Sequence, residues 1–193
     1  MWVMIEIIFE PHGTTIDNEA HRSSGHFDVE LSELGKKQAQ EMGKRYENDH
    51  FDTIFCSDLQ RAYKSAEIAF DKKFPIIKDA RLRECDYGDF TRNPSEQVEA
   101  DKANRIKIPF PNGESYEQTA ERMRNFLEDL LKKYDGKKIM IIGHRATQYG
   151  LERWTRGVPL GVVAPYPWKW QTGWKYKFEK IIEKPKHNAK PYV

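Results

Sequence analysis

The chain is expected to fold as an α/β protein, a three-layer α/β/α sandwich around a mainly parallel central sheet, and three features predict it. Strand-like and helix-like segments alternate from the first residue to about position 156, the pattern of parallel strands joined by helical crossovers. Lys138 to Ile142 is a continuous apolar run, as required of a strand covered on both faces. Tyr116, Ala120, Met123, Leu127, Leu130 and Tyr134 recur at steps of four and three, which places one apolar stripe on a long helix.

In chain order, Val3 to Phe9 is the first strand, followed by a polar loop containing Gly13, Asn18, Ser23, Ser24 and Gly25. Ser32 then starts an amphipathic helix running to about Glu47. Thr53 to Cys56 is a short second strand. Ser57 and Gln60 have capping-box spacing and are expected to open a helix to about Phe70. Ile76 and Ile77 mark another short strand. Arg81 to Asn112 reads mostly as loop, with Gly88, Pro94, Pro109 and Pro111 and one short helix near Glu96 to Asn104.

Ser115 and Gln118 form a second capping box at the head of the long helix, and a further helix follows His144, from about Ala146 to Trp154. From Pro165 onward, Tyr166, Trp168, Trp170, Trp174, Tyr176 and Phe178 fall on even positions. That is the two-residue period of an extended segment with an aromatic face, an antiparallel edge strand on this reading. The expected organisation is a single domain, 1–193, with a cap at 83–112 and a basic tail at 184–193.

The 193 residues carry 32 Lys and Arg against 30 Asp and Glu. A net charge of +2 gives no basic field of the kind that draws nucleic acid to a surface. No run approaches the roughly 20 apolar residues of a membrane-spanning helix. The start, Met1 to Phe9, is broken by Glu6 and lacks a basic leader and a cleavage site, so it reads as a strand of a cytoplasmic protein. Cys56 and Cys85 show no metal spacing and are expected to be reduced, buried thiols.

His12 and His144 each stand just beyond the carboxyl end of an expected strand, the edge at which open α/β sheets bind ligands. Ser57 to Arg61 follows the second strand, and Arg83 and Glu84 follow the strand near Ile76, so one pocket can collect His12, Arg61, Glu84 and His144. A neutral imidazole can attack phosphorus, cations can hold the non-bridging oxygens, and a protonated carboxyl can supply the leaving group's proton. The chemistry is phosphoryl transfer through a phosphohistidine. Ser57 as nucleophile has no obvious base partner. Two histidines and a carboxylate could also describe a zinc site, but Arg61 and Arg145 beside them favour an anionic ligand.

The order of these residues resembles the histidine phosphatase superfamily, which includes the cofactor-dependent phosphoglycerate mutases. The resemblance runs from about Ile5 to Trp154. It rests on His12-Gly13-Thr14-Thr15, Asn18, Arg22, Gly25 to Asp28, Leu31 to Gly35 with Gln38-Ala39, Ser57 to Ala62, Leu82-Arg83-Glu84 with Asp86-Tyr87-Gly88, Asn112 to Ser115, and Ile142-Gly143-His144. It implies a phosphoglycerate mutase-like fold with no metal or other cofactor, and a small-molecule phosphate ester as substrate. It further implies that His12 is the phosphorylated nucleophile and Glu84 the general acid and base. Arg61 and His144 would hold the phosphoryl group, with Gly13, Thr15, Asn18 and Arg22 around it.

One departure is prominent. The family carries Arg immediately before its nucleophilic His, and this chain carries Pro11. Cations on the transferring group can be worth about 10³ to 10⁵ in rate. Arg145, after the distal His where the family has a small residue, is the expected replacement, placed at a helix N-terminus suited to anions.

Three other readings stay open. One is a mutase-type phosphotransferase, disfavoured because the stretch between Glu84 and Gly113 is shorter than the insertion mutases carry there. Another is an attenuated phosphate-ligand binder, motivated by Pro11. The third is a nucleic-acid module built on the aromatic segment and the basic tail. Trp168 or Trp170 could instead face a bulky leaving group. Oligomer formation is compatible with all of these.

Overall fold

A computed structural model describes residues 2–181. The proposed basic tail, 184–193, therefore lies outside the described residues. Strand β1 (Trp2–Pro11) leads through a one-turn helix α1 (Ile16–Glu19) to α2 (Glu33–Arg45), β2 (Thr53–Cys56), α3 (Gln60–Phe70) and β3 (Ile76–Lys78). A cap follows, containing α4 (Ser95–Asp101) and a 3₁₀ turn at Lys102–Arg105. The chain then forms α5 (Tyr116–Lys133), β4 (Lys138–Gly143), α6 (Arg145–Arg156), a one-turn α7 (Leu160–Val163) and β5 (Trp174–Ile181).

The sheet order is β3-β2-β4-β1-β5, parallel throughout except for β5, which runs antiparallel along β1. Alternate side chains of the strands enter two cores. Ile5, Ile7, Phe9, Ile139 and Ile141 pack with Met123, Phe126, Leu127 and Leu130 of α5. Ile8, Ile54, Met140 and Ile142 pack with Met42 of α2 and Ala66 and Phe70 of α3. Burial on both faces accounts for the unbroken apolar run of β4. Ser32 caps α2 by accepting from the Gly35 N–H, and Ser115 and Gln118 form the expected capping box.

Two expectations need correction. Ser57 and Gln60 do not form a capping box: Leu59 occupies the N-cap, and the Ser57 hydroxyl accepts from the Leu59 N–H instead. Asp28 caps α3 from a distant loop, accepting from the Gln60 N–H at 2.7 Å, so a long-range partner takes the role assigned to a local one. The aromatic segment is extended only from Trp174. Before it the chain makes α7 and a loop in which Trp168 stacks on Trp174, with ring centroids 5.8 Å apart. Trp174 and Tyr176 face the core, which is the aromatic face expected of β5.

Candidate active site

The register of β1 against β4 brings the two histidines together. Pro11 lies beside Gly143 in the ladder, and the His12 N–H donates to the Gly143 carbonyl at 3.1 Å. One residue past each paired end, the rings of His12 and His144 lie 5.0 Å apart, tilted by 58°. From β1 the chain crosses by α2 toward one side of the sheet, and from β4 by α6 toward the other, so the crevice between them is where the strand order reverses. Pro11 is tolerated here because pairing with β5 has already ended at Phe9 and Trp174, which removes the need for a backbone donor on that side.

The loop after β1 is packed too tightly for side chains. A Cβ on Gly13 would stand 2.4 Å from the Gly35 carbonyl oxygen, and one on Gly35 would stand 1.9 Å from that of Thr14. With α2 this close, Gln38 accepts from the Thr14 N–H at 2.8 Å, and the Gly13 N–H donates to Ser65 of α3 at 2.9 Å. The His12 loop is thereby fixed to both helices of one layer.

Nδ1 of His12 lies 2.7 Å from the Gly13 carbonyl. A carbonyl only accepts, so Nδ1 carries the proton and Nε2 keeps a free lone pair. Burial, reinforced by the charge of Arg61 and opposed by the Gly13 bond, pushes the His12 pKa down to about 3. Burial likewise lowers His144 well below its ordinary value, again with help from Arg61. Both rings are neutral at physiological pH. Among the described residues neither nitrogen of His144 has a hydrogen-bond partner, although both are buried.

Arg61, on the first turn of α3, is 2% exposed and donates to the Gly25 and Phe27 carbonyls at 2.7 and 3.0 Å. Gly25 has a φ of 52°, in the left-handed region, which turns that loop around the guanidinium. Glu84 is 8% exposed, and its Oε1 accepts from the Cys85 N–H at 2.8 Å and from the Ala146 N–H, in the first turn of α6, at 3.3 Å. Arg83 forms a two-point ion pair with Asp58 and belongs to the scaffold.

His12, Asn18, Arg22, Arg61, Glu84, His144 and Arg145 all line one cleft of about 560 Å³. Thr15 and Gly13 are not on its wall. The Thr15 hydroxyl is buried as the N-cap of α1, accepting from the Asn18 N–H, and Asn18 Oδ1 accepts from the Thr15 N–H in return. The Asn18 Nδ2 amide group is then the end left to face a ligand. Arg145 reaches the cleft but is already engaged: its terminal nitrogens lie 2.6 and 3.1 Å from the Glu99 carboxylate on α4, and it sits over the Trp168 ring.

Several cleft residues were not singled out by sequence reasoning. Arg45 and Glu41 follow Gln38 at helical spacing, a signal that could have found them. Glu99 carried none, because only the folded cap brings it to Arg145. Among the described residues, no three His, Cys, Asp or Glu side chains converge as metal ligands, and no helix is long and apolar enough to cross a membrane. The site joins two neutral imidazoles, a buried guanidinium and a carboxyl group, a set suited to an oxyanion and to proton transfer beside it.

Comparison with known proteins gives consistent similarities. The family model described as histidine phosphatase superfamily (branch 1) matches residues 7–169. Phosphoserine phosphatase 1 of Hydrogenobacter thermophilus is 31% identical over 150 residues, covering 73% of this chain and 71% of that protein. Phosphoglycerate mutase-like protein 4 of Arabidopsis thaliana is 30% identical over 151 residues, covering 72% and 66%. Among solved structures, the mycobacterial glucosyl-3-phosphoglycerate phosphatase in complex with VO3 superposes with a TM-score of 0.73 at 25% identity, covering 84% of this chain and 86% of that one.

Proposed function

The chain belongs to the histidine phosphatase superfamily and is an enzyme of that group, and from that premise we propose that it hydrolyses a small phosphomonoester in two steps, without a metal, through a phosphohistidine on His12. The observation that carries this reading is the 2.7 Å contact from His12 Nδ1 to the Gly13 carbonyl, which leaves Nε2 as the nucleophilic atom. In the first step Nε2 attacks phosphorus and the bond from phosphorus to the ester oxygen breaks. Glu84 gives its proton to the departing oxygen. In the second, Glu84 takes a proton from water as that water attacks phosphorus, the phosphorus–nitrogen bond breaks, and inorganic phosphate leaves.

Arg61 and His144 hold the non-bridging oxygens, and the phosphate accepts the one hydrogen bond that the neutral His144 ring can donate, which has no acceptor among the described residues. Asn18 and Arg22 complete the binding wall. Arg145, at the start of α6, replaces the cation absent at position 11, sharing its charge with Glu99 until a phosphate arrives. The short cap favours hydrolysis over a mutase cycle, which must keep water out. Cys56 and Cys85, both buried free thiols, suit a cytoplasmic setting.

A second reading, a binder with attenuated turnover, is favoured by one observation, the engagement of Arg145 with Glu99 beside a proline at position 11. Turnover of phenyl phosphate in the presence of a chelator, compared with His12→Ala, separates the two. The phosphatase reading expects release of inorganic phosphate by the wild type alone. Equal inactivity of both proteins across a panel of phosphate esters would support the binder.

A further inference from the structure

Residues 83–87, the stretch that carries Glu84, lie in neither a helix nor a strand. Their buried backbone groups must therefore find partners outside any ladder. One side chain gathers several of the carbonyls here. Arg122, in the first half of α5, donates from Nη1 to the Arg81 and Arg83 carbonyls at 2.8 and 3.2 Å, and from Nη2 to the Glu84 carbonyl at 3.1 Å. Nε and Nη2 also hold the Glu114 carboxylate in a two-point pair, at 2.8 and 2.7 Å. A guanidinium has five N–H groups, and these five bonds use each of them.

The anchor is itself fixed. The Glu114 carboxylate also accepts from the Asp86 N–H at 3.1 Å, and the Glu114 N–H donates to the Asp86 carbonyl at 2.9 Å. From another loop, Nε2 of His26 lies 2.8 Å from the Glu84 carbonyl and donates to it. The main-chain oxygen of Glu84 is thus held from two elements distant in sequence, while its Oε1 accepts from the Cys85 and Ala146 N–H groups. Arg122 is not on the wall of the cleft, whereas Glu84 is. What Arg122 contributes to chemistry therefore passes through Glu84.

We propose that Arg122 is a positioning residue for proton transfer, clamping the backbone at residues 81–84 so that the Glu84 carboxyl meets the leaving oxygen at hydrogen-bond distance. This rests on the reading that Glu84 gives its proton to that oxygen. Proton transfer needs heavy atoms about 2.6 to 3.2 Å apart, and a displacement of about 1 Å can cost about 10² in rate. The planar fork suits the task because its donors are fixed relative to one another.

The test compares kcat/KM for phenyl phosphate and for a nitrophenyl phosphate on each preparation, because a nitrophenolate leaves without a proton. In Arg122→Ala and Arg122→Lys the phenyl ester should lose about 10- to 100-fold and the nitrophenyl ester no more than about threefold. Lysine keeps a charge beside Glu114 but carries its donors on one atom, so it should not restore the ratio. Both substrates are read on one preparation, so a smaller folded fraction cancels. Adding Glu84→Gln to Arg122→Ala should cost less than Glu84→Gln costs alone, since both changes remove one function. Arg124→Ala, on the same helix but paired with Glu121 and lying over Trp154, should leave the ratio unchanged. An equal loss on both substrates in the Arg122 variants, no loss, or the same shift in Arg124→Ala overturns the proposal. If the ratio is unmoved in Glu84→Gln as well, the proton-donor reading is refuted and the proposal falls with it.

Discussion

The rings of His12 and His144 lie 5.0 Å apart because the strands that carry them are neighbours in parallel register, Pro11 beside Gly143. Two imidazoles this close cannot both be charged cheaply, and burial keeps both neutral. One is then free to be a nucleophile and the other to donate to the oxygens of the group attacked.

That burial has a consequence for stability. The folded pKa of His12, about 3, is below the unfolded value near 6.5, so the unfolded chain binds more protons between those values and stability falls with pH across that window. At pH 5 the loss from His12 is about 2 kcal/mol relative to neutral pH, and His144 adds in the same direction. Urea midpoints at pH 7.5 and pH 5 should diverge for the wild type and converge for a variant with His12→Asn and His144→Asn. Equal divergence in both proteins would assign the acid sensitivity elsewhere.

Glu84→Gln removes the proposed proton donor while keeping the bonds from the Cys85 and Ala146 N–H groups to an oxygen. Turnover of phenyl phosphate should fall about 10² to 10⁴-fold, and that of a nitrophenyl phosphate far less, because a good leaving group departs without a proton. A uniform loss on both substrates would argue that Glu84 supports the fold of the site and does not transfer a proton.

Arg145→Ala should lower kcat/KM for alkyl phosphates by about tenfold or more, and Glu99→Gln, which loosens the competing ion pair, should lower KM. Steady-state kinetics of the two variants decides whether this guanidinium serves the phosphoryl group. A mild change in Arg145→Ala together with no gain in Glu99→Gln would return Arg145 to the role of a cap tether.

Gly13→Ala should cost about 1 to 3 kcal/mol, since the new methyl carbon would overlap the Gly35 carbonyl and neither backbone can retreat from the other. Chemical denaturation measures the cost directly. Gly136→Ala meets nothing within 4 Å but has a φ of 71°, so it gauges backbone strain alone; a cost near zero at Gly13, whose φ is not positive, would mean that the two backbones can move apart.

The sequence made the sheet and the gathering of the candidate site residues legible for a common reason. β4 is apolar because both faces are covered, and His12, Arg61, Glu84 and His144 follow strand ends that the topology gathers on one edge. What was not legible depends on long-range contacts. Asp28 caps α3 from another loop, Glu99 meets Arg145 only when the cap closes over α6, and Trp168 leaves the even-numbered aromatic pattern to stack on Trp174. Thr15 looked like a ligand because it sits in a motif beside His12; its hydroxyl is instead committed to capping α1.

The central claim is a covalent phosphate on one imidazole. Rapid quenching of the wild type with labelled phenyl phosphate, followed by peptide mapping, should find phosphate on His12 that survives base and is lost in acid, with none in His12→Ala. Turnover by the wild type with no such adduct, or with the label on another residue, would contradict the account.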